Sequence, residues 1–216
     1  MNIFLITSVI KVSDDHNEKS FCHHPRRQHE TLKTIYSIRE KNPDAKIFLL
    51  ECSDMSREQE HFLKEKVDIF LNLSTDIDIN ETVLKSKSLG EKMMMLKAID
   101  YLEKENIDFN NLFKISGRYW LNENFNIDNF KNESYAIKRL DNNMVITNFY
   151  KLPKRLVFKL KDYLLLNSSR NVEEFKVLLT NFIDTLKYSE VNKNEIIGSL
   201  IGISGFKSAS GEFLYM

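Results

Sequence analysis

The first fifty residues constrain the fold most. Asn2 to Val9 is a β-branched and aromatic run with the composition of a buried strand. Pro25 opens a helix carrying Arg26, Arg27, His29, Glu30, Leu32, Ile35, Tyr36 and Ile38, with apolar positions three and four apart. Lys41-Asn42-Pro43-Asp44 stops it, and Ala45 to Leu50 is a second buried strand ending in Glu51-Cys52-Ser53. Strand, helix and strand at this spacing form a βαβ unit, since parallel neighbours need a long crossover. The sheet is therefore at least partly parallel. In such sheets ligands bind beyond the carboxyl ends of the strands.

The rest of the chain continues in short elements. Ser56 to Glu65 reads as a charged helix behind a capping pattern at Asp54-Met55-Ser56-Arg57-Glu58. Val67 to Leu73 alternates as a third strand, and Ser74 to Thr82 is an acidic loop. Lys85 to Glu91 leads into a long helix, Lys92 to Lys104, whose Met93 and Met94 read as core filler. Asn111 to Leu121, NLFKISGRYWL, is a buried strand over Leu112 to Ile115 that breaks into Ser116-Gly117-Arg118. Tyr135 to Arg139 and Met144 to Tyr150 form a hairpin about Asp141-Asn142-Asn143. Pro153 to Asn167 and Val172 to Lys187 are amphipathic helices, Ile196 to Ile203 is apolar, and Gly205 to Tyr215 closes as a hairpin around Ser210-Gly211. No linker or repeat interrupts the 216 residues, so one α/β domain is expected.

Charge narrows the function. With 31 basic and 31 acidic residues no global field draws the chain to nucleic acid or to a membrane. Cys22 and Cys52 make no disulfide framework, which suits a reducing compartment. The opening MNIFLITSVI lacks a basic region and a cleavage site and is too short for a membrane span. A soluble, cytoplasmic protein is expected.

Three polar groups fall at strand ends: Thr7-Ser8, Glu51-Cys52-Ser53 and Ser116-Gly117-Arg118. If the strands are parallel, all three share one edge. Gly117 turns without a Cβ clash, and Arg118 offers a fixed charge and several donors to an anion such as phosphate. A surface turn with Arg118 paired to a carboxylate remains the alternative. Glu51 stands where nucleotide folds place an acid for ribose or base, or it is a solvated terminus. No glycine precedes Gly90, so phosphate loops of the ATPase and dinucleotide type are absent. Arg26-Arg27, Lys85, Lys87 and Arg118 could neutralise a diphosphate instead. Cys22, His23, His24 and His29 lack zinc-ligand spacing, and Asp76-Ile77-Asp78 reads first as a solvated turn.

The order of pieces resembles small glycosyltransferases of the GT-A type, in particular uncharacterised viral and bacterial ones near the WavE-like lipopolysaccharide enzymes. The stretches that carry it are RRQHETLKTIYSIREKNPDAKIFLLECS, KSLGEKMMMLKAIDYL, LFKISGRYWL, ITNFYKLP and LIGISGFKSASGEF. The resemblance implies a three-layer α/β/α sandwich with a mostly parallel sheet and a C-terminal hairpin and helical part. Residues 1–121 would be its nucleotide-binding half and residues 122–216 its acceptor side. It implies a nucleotide-sugar donor, a UDP-sugar foremost, and a glycan or glycoprotein acceptor in surface-glycan assembly. Thr7 and Ser8 would flank the base, Arg26 the nucleotide, Glu51 and Ser53 the base or ribose. Lys87, Gly90 and Glu91 would face the sugar or diphosphate. Ser116-Gly117-Arg118 takes the place of the Asp-x-Asp motif that holds Mn²⁺ or Mg²⁺ in ordinary members, which puts the metal in doubt and makes Arg118, with Lys87, its electrostatic substitute. Glu173 or Glu174 would serve as catalytic base. The rivals are a non-catalytic nucleotide- or glycan-binding module on the same fold and, last, a sugar nucleotidyltransferase. The latter calls for a glycine-rich loop that residues 7–20 lack.

Overall fold

Both faces of β1 (Asn2–Ser8) are apolar because both are covered. The computed structural model describes residues 1–11, 24–79, 82, 86–130, 133–167, 174–187, 194–195, 201–207 and 210–216. In it β1 runs parallel to β2 (Lys46–Glu51) on one side and to β4 (Asn111–Ser116) on the other. Outside β2 lies β3 (Ile69–Asn72), also parallel. Beyond β4 come β7 (Val145–Pro153) and β6 (Ala136–Arg139), each antiparallel to the strand before it, then β8 (Asn194–Glu195), parallel to β6. The central sheet is thus mixed and mostly parallel, in the order β3-β2-β1-β4-β7-β6-β8.

Helices cover it on both sides. α1 (His24–Lys41) and α2 (Arg57–Lys64) pack Ile35, Ile38 and Leu63 on the face that carries Phe4, Ile6, Leu49, Phe113 and Ile115. There Phe4 stacks on Phe113, its partner in the ladder, at 4.7 Å. α3 (Lys87–Lys104), α4 (Lys154–Leu166) and α5 (Phe175–Lys187) cover the other face, with Ile99, Leu160 and Leu179 against Leu5, Leu50 and Leu112. Met94 is a core residue as expected, Met93 is partly buried against the same core, and Met95, not expected on the apolar face, is fully buried. Among the described residues no helix is long and apolar enough to cross a membrane.

Several boundaries differ from those expected, among them the end of β7, which runs to Pro153 and not Tyr150, so that α4 begins at Lys154. α3 begins at Lys87, not Lys92, because Ser86 caps it by accepting from the Leu89 N–H, so Gly90 and Glu91 lie inside the helix. β3 is shorter and begins at Ile69; just before it, Asp68 donates its N–H to Ile47 O at 3.0 Å, and its Oδ2 accepts from Ile47 N at 2.7 Å and from Arg39. The stretch NLFKISGRYWL holds two strands, not one. After β4 the chain enters β5 (Tyr119–Leu121), which pairs with β9 (Ile203–Phe206), itself paired with β10 (Phe213–Tyr215), in a separate antiparallel sheet. The expected hairpin about Ser210-Gly211 is therefore present, with Gly211 at φ +68°. Of the expected apolar run Ile196 to Ile203, residues 196–200 lie outside the described residues, as does Val172 at the start of the last helix.

β5 would be an edge strand with unpaired backbone groups. A row of hydroxyls on α1 covers that edge. Thr31 Oγ1 donates to Gly117 O (3.1 Å), Thr34 Oγ1 donates to Tyr119 O (2.6 Å), and Ser37 Oγ accepts from Leu121 N (3.0 Å). Alternate residues of an extended chain face one way and every third helical residue shares a face, so 117, 119 and 121 meet 31, 34 and 37. Thr34→Val keeps the shape and removes a donor from the buried Tyr119 carbonyl. It should cost about 1–3 kcal/mol, read as a lower urea midpoint with an unchanged m-value.

Candidate functional site at the carboxyl edge

Register places the polar strand ends together: Ser8 is opposite Glu51 and Thr7 is opposite Ser116. Gly117 N–H donates to Thr7 O at 2.9 Å, extending the β1–β4 contact past the strand end. Gly117 serves the close approach here and not an unusual φ. A Cβ there would lie 3.1 Å from both the Ser8 Cβ and Thr31 Oγ1. The Ser8 hydroxyl is 3.1 Å from Thr31 Oγ1, so β1, β4 and α1 meet at one point. Thr7 and Ser8 are buried.

Glu51 is fully buried and organises the connection from β1 to α1. Its Oε1 accepts from Ile10 N (2.9 Å), from Ser53 N (2.9 Å) and from the Ser53 hydroxyl. Ser53 Oγ in turn accepts from Lys11 N at 2.7 Å, and Arg27 Nη1 donates to Val9 O at 2.6 Å. Glu51 Oε2 is buried and has no hydrogen-bond partner among the described residues. Between them, Cys52 is a buried free thiol whose pKa burial pushes far up, with Glu51 and Asp76 adding to it. It is no nucleophile in this setting.

On the α3 face of β4 sits a residue that the apolar pattern hides. Lys114 is fully buried, and its Nζ donates to Glu91 Oε1, to Ser116 Oγ (2.9 Å) and to Thr147 O (2.6 Å). Glu91 Oε2 accepts from Thr147 Oγ1 at 3.2 Å, which closes a ring of groups from α3, β4 and β7. Burial lowers the Lys114 pKa most, the Glu91 charge opposes this, and Arg118 adds to the lowering. Arg118 itself is half-buried, with Nη1 buried and unpartnered among the described residues. An unpartnered guanidinium nitrogen beside a buried ammonium makes this edge a place for an anion.

The edge thus assembles Thr7, Ser8, Glu51, Ser53, Gly90, Glu91, Ser116, Gly117 and Arg118, through the contacts above and the first turns of α3. Glu174 joins from the far half of the chain. It precedes α5, whose first residue, Phe175, donates its N–H to Ser88 Oγ in the first turn of α3 at 2.7 Å. Glu174 is exposed. Arg26 turns away, pairing with Glu30 Oε1 at 2.9 Å while its guanidinium lies 4.3 Å from the Phe206 ring centroid. Its neighbour Arg27 is the one that holds the β1 connection. Lys85, Glu173 and the Lys87 side chain lie outside the described residues, as do Cys22 and His23. Asp76 is engaged by Lys97 at 2.6 Å, and His29 is exposed. Among the described residues no three His, Cys, Asp or Glu side chains gather as a metal site.

At Ser116-Gly117-Arg118 the side chains do not fit a divalent cation. Ser116 Oγ already faces the Lys114 ammonium, Gly117 has no donor atom, and Arg118 carries the wrong charge. Lys114, Thr31 and Thr147 were missed from the sequence, and Arg27, named there as a cation for a diphosphate, is bonded to Val9 O instead. A lysine inside the run LFKIS was the one available signal.

In fold, the chain is similar to the "putative nucleotide-diphospho-sugar transferase" of Desulfovibrio desulfuricans G20. The TM-score is 0.52 at 8% identity, over 91% of this chain and 79% of that one. The likeness is one of fold. No family model matches the sequence, and no curated protein matches it significantly.

The Lys114–Glu91 pair generates a double test. Lys114→Met strands a carboxylate that is only 21% exposed and should destabilise the chain, whereas Lys114→Met/Glu91→Leu should recover most of the loss. The coupling expected from the cycle is about 0.5–3 kcal/mol. A lysine whose folded pKa is lowered binds fewer protons folded than unfolded. Relative to Lys114→Met, the stability of the parent should therefore rise with pH between that lowered value and 10.5.

Proposed function

We propose that this chain is a glycosyltransferase of the GT-A type, moving a sugar from a nucleotide-sugar donor to a glycan or glycoprotein acceptor in surface-glycan assembly. The observation that carries the reading is the buried, unpartnered Nη1 of Arg118 at the carboxyl end of β4, on a sheet edge where two other polar strand ends converge. The fold likeness to the "putative nucleotide-diphospho-sugar transferase" supports it. A UDP-sugar is the expected donor. Residues 1–121 form the donor half and residues 122–216 the acceptor half of one domain.

In this reading Thr7, Ser8, Glu51 and Ser53 shape the base and ribose end, with Glu51 Oε2 as the acceptor left over after Oε1 has fixed the loop. The diphosphate lies against Arg118, with Lys87 on the α3 side. As the bond from the anomeric carbon to the diphosphate oxygen breaks, charge grows on the leaving group, and a preorganised guanidinium stabilises it. Lys114 adds a second fixed cation from below, and Gly90 and Glu91 hold the first turn of α3 beside the sugar. The acceptor hydroxyl attacks the anomeric carbon and gives its proton to a carboxylate, Glu174 or Glu173. No step runs through a metal, because the residues at the Asp-x-Asp position do not suit one. The runner-up is a binding module with the donor site and no transfer.

A thermal-shift panel of UDP, GDP, CDP and dTDP, each with and without Mn²⁺, tests the donor site. One nucleotide should raise the midpoint whether or not Mn²⁺ is present, and Arg118→Ala should abolish the rise. Where transfer is observed, Arg118→Ala should lower turnover about 10²–10³-fold, and EDTA should leave the parent rate unchanged. Loss with EDTA and recovery with Mn²⁺ would sink the metal-independent mechanism. Binding without hydrolysis or transfer from any nucleotide-sugar would favour the module.

A further inference from the structure

One face of the small sheet is built the wrong way round for solvent. Its inner face is ordinary: Tyr119, Leu121, Ile203 and Gly205 are buried, and Leu214 packs against the same core. Alternation turns Trp120, Ser204, Phe206, Phe213 and Tyr215 to the other face, which in an antiparallel sheet is normally polar. Four of these five are aromatic. Trp120 lies 6.0 Å from Phe206 and 6.1 Å from Phe213, and Phe206 lies 5.2 Å from Phe213, centroid to centroid. Phe213 and Tyr215 remain 50% and 45% exposed.

α1 supplies a wall beside this face through residues seven apart. Arg26 stands over Phe206, and Lys33 Nζ is 3.5 Å from the Trp120 centroid. Further along, Glu40 and Lys41 face Glu123 across an open cleft of about 560 Å³, the size of a small-ligand site. Its two lysines, Lys33 and Lys41, are balanced by Glu40 and Glu123. At one end Tyr215 donates its hydroxyl to Glu123 Oε1 at 2.7 Å and accepts from Asn124 Nδ2 at 2.5 Å, a fixed polar fork beside the rings.

We infer that this cleft is a binding site for a neutral oligosaccharide. A pyranose ring presents an apolar C–H face that lies flat on an aromatic ring and a rim of hydroxyls that needs donors and acceptors, and this wall offers both. The cancelling charges do not suit a nucleoside diphosphate, whose phosphates need an uncompensated cation. A cluster of aromatics on a solvent face calls for an occupant, and the carboxylates, tyrosine hydroxyl and lysines around it distinguish the cleft from a bare hydrophobic dock. Trp120 is two residues beyond Arg118, and from there the cleft runs along α1 from Lys33 to Lys41. That the glycan is the acceptor rests on the transferase reading. That a glycan binds here does not.

Trp120 is the sole tryptophan of the chain, so its emission reports this cleft alone. The full chain is titrated with maltohexaose, cellohexaose, mannohexaose and chitohexaose, and at least one should shift or quench the emission to saturation. Phe213→Ala and Tyr215→Ala, both exposed, should weaken that binding at least tenfold with circular dichroism and nucleotide thermal shifts unchanged. No emission change with any of the four, or a change that the two variants leave intact, overturns the inference. A response to phosphatidylcholine vesicles in place of the sugars also overturns it. Nucleotide binding without glycan binding removes this site and keeps the donor site. Glycan binding without nucleotide binding does the reverse.

Discussion

Three hydroxyls on α1 determine more of this structure than any apolar contact. Thr31, Thr34 and Ser37 occupy the backbone groups that a further strand would otherwise have taken. The helix is thereby tied both to the turn after β4 and to the small sheet. Because the first of these bonds ends on Gly117, the close approach at Ser8 and Thr31 and the course of the chain through Arg118 follow from it. The apolar packing of Ile35 and Ile38 stabilises α1 against the sheet. It is non-directional, so the registry of helix against strand comes from the hydroxyls.

Charge at the carboxyl edge is handled in two ways. Lys114 is removed from water and bonded to Glu91, Ser116 Oγ and Thr147 O, so its cost is met within the fold. Arg118 is left with a buried nitrogen that no described group satisfies. The first arrangement fixes the geometry of three elements, and the second leaves an attraction available to something else. A satisfied ammonium behind an unsatisfied guanidinium is a preorganised electrostatic site, built before any ligand arrives.

Much of the parallel half was legible in the sequence. Two apolar runs with a helical crossover implied parallel pairing, and the strand ends implied a common edge that the registers of β1, β2 and β4 display. Other parts had no local signal. A three-residue strand such as β5, whose partner lies in the last sixteen residues, cannot be separated by period from the strand before it. Lys114 was read through because its neighbours are apolar, and its partners Glu91 and Thr147 are brought to it by other elements. Glu51 was visible as an acid at a strand end. That one of its oxygens serves backbone N–H groups is a matter of loop path, which composition does not encode.

The chain leaving β1 is held from two sides: Ile10 and Lys11 by Glu51 and Ser53, and Val9 by Arg27 of α1. α1 and the end of β1 are therefore aligned by a bond between them as well as by the chain that joins them. Lengthening a closed loop costs little, about 0.6 kcal/mol for each doubling. The joining chain could therefore vary in length without moving Val9 from Arg27.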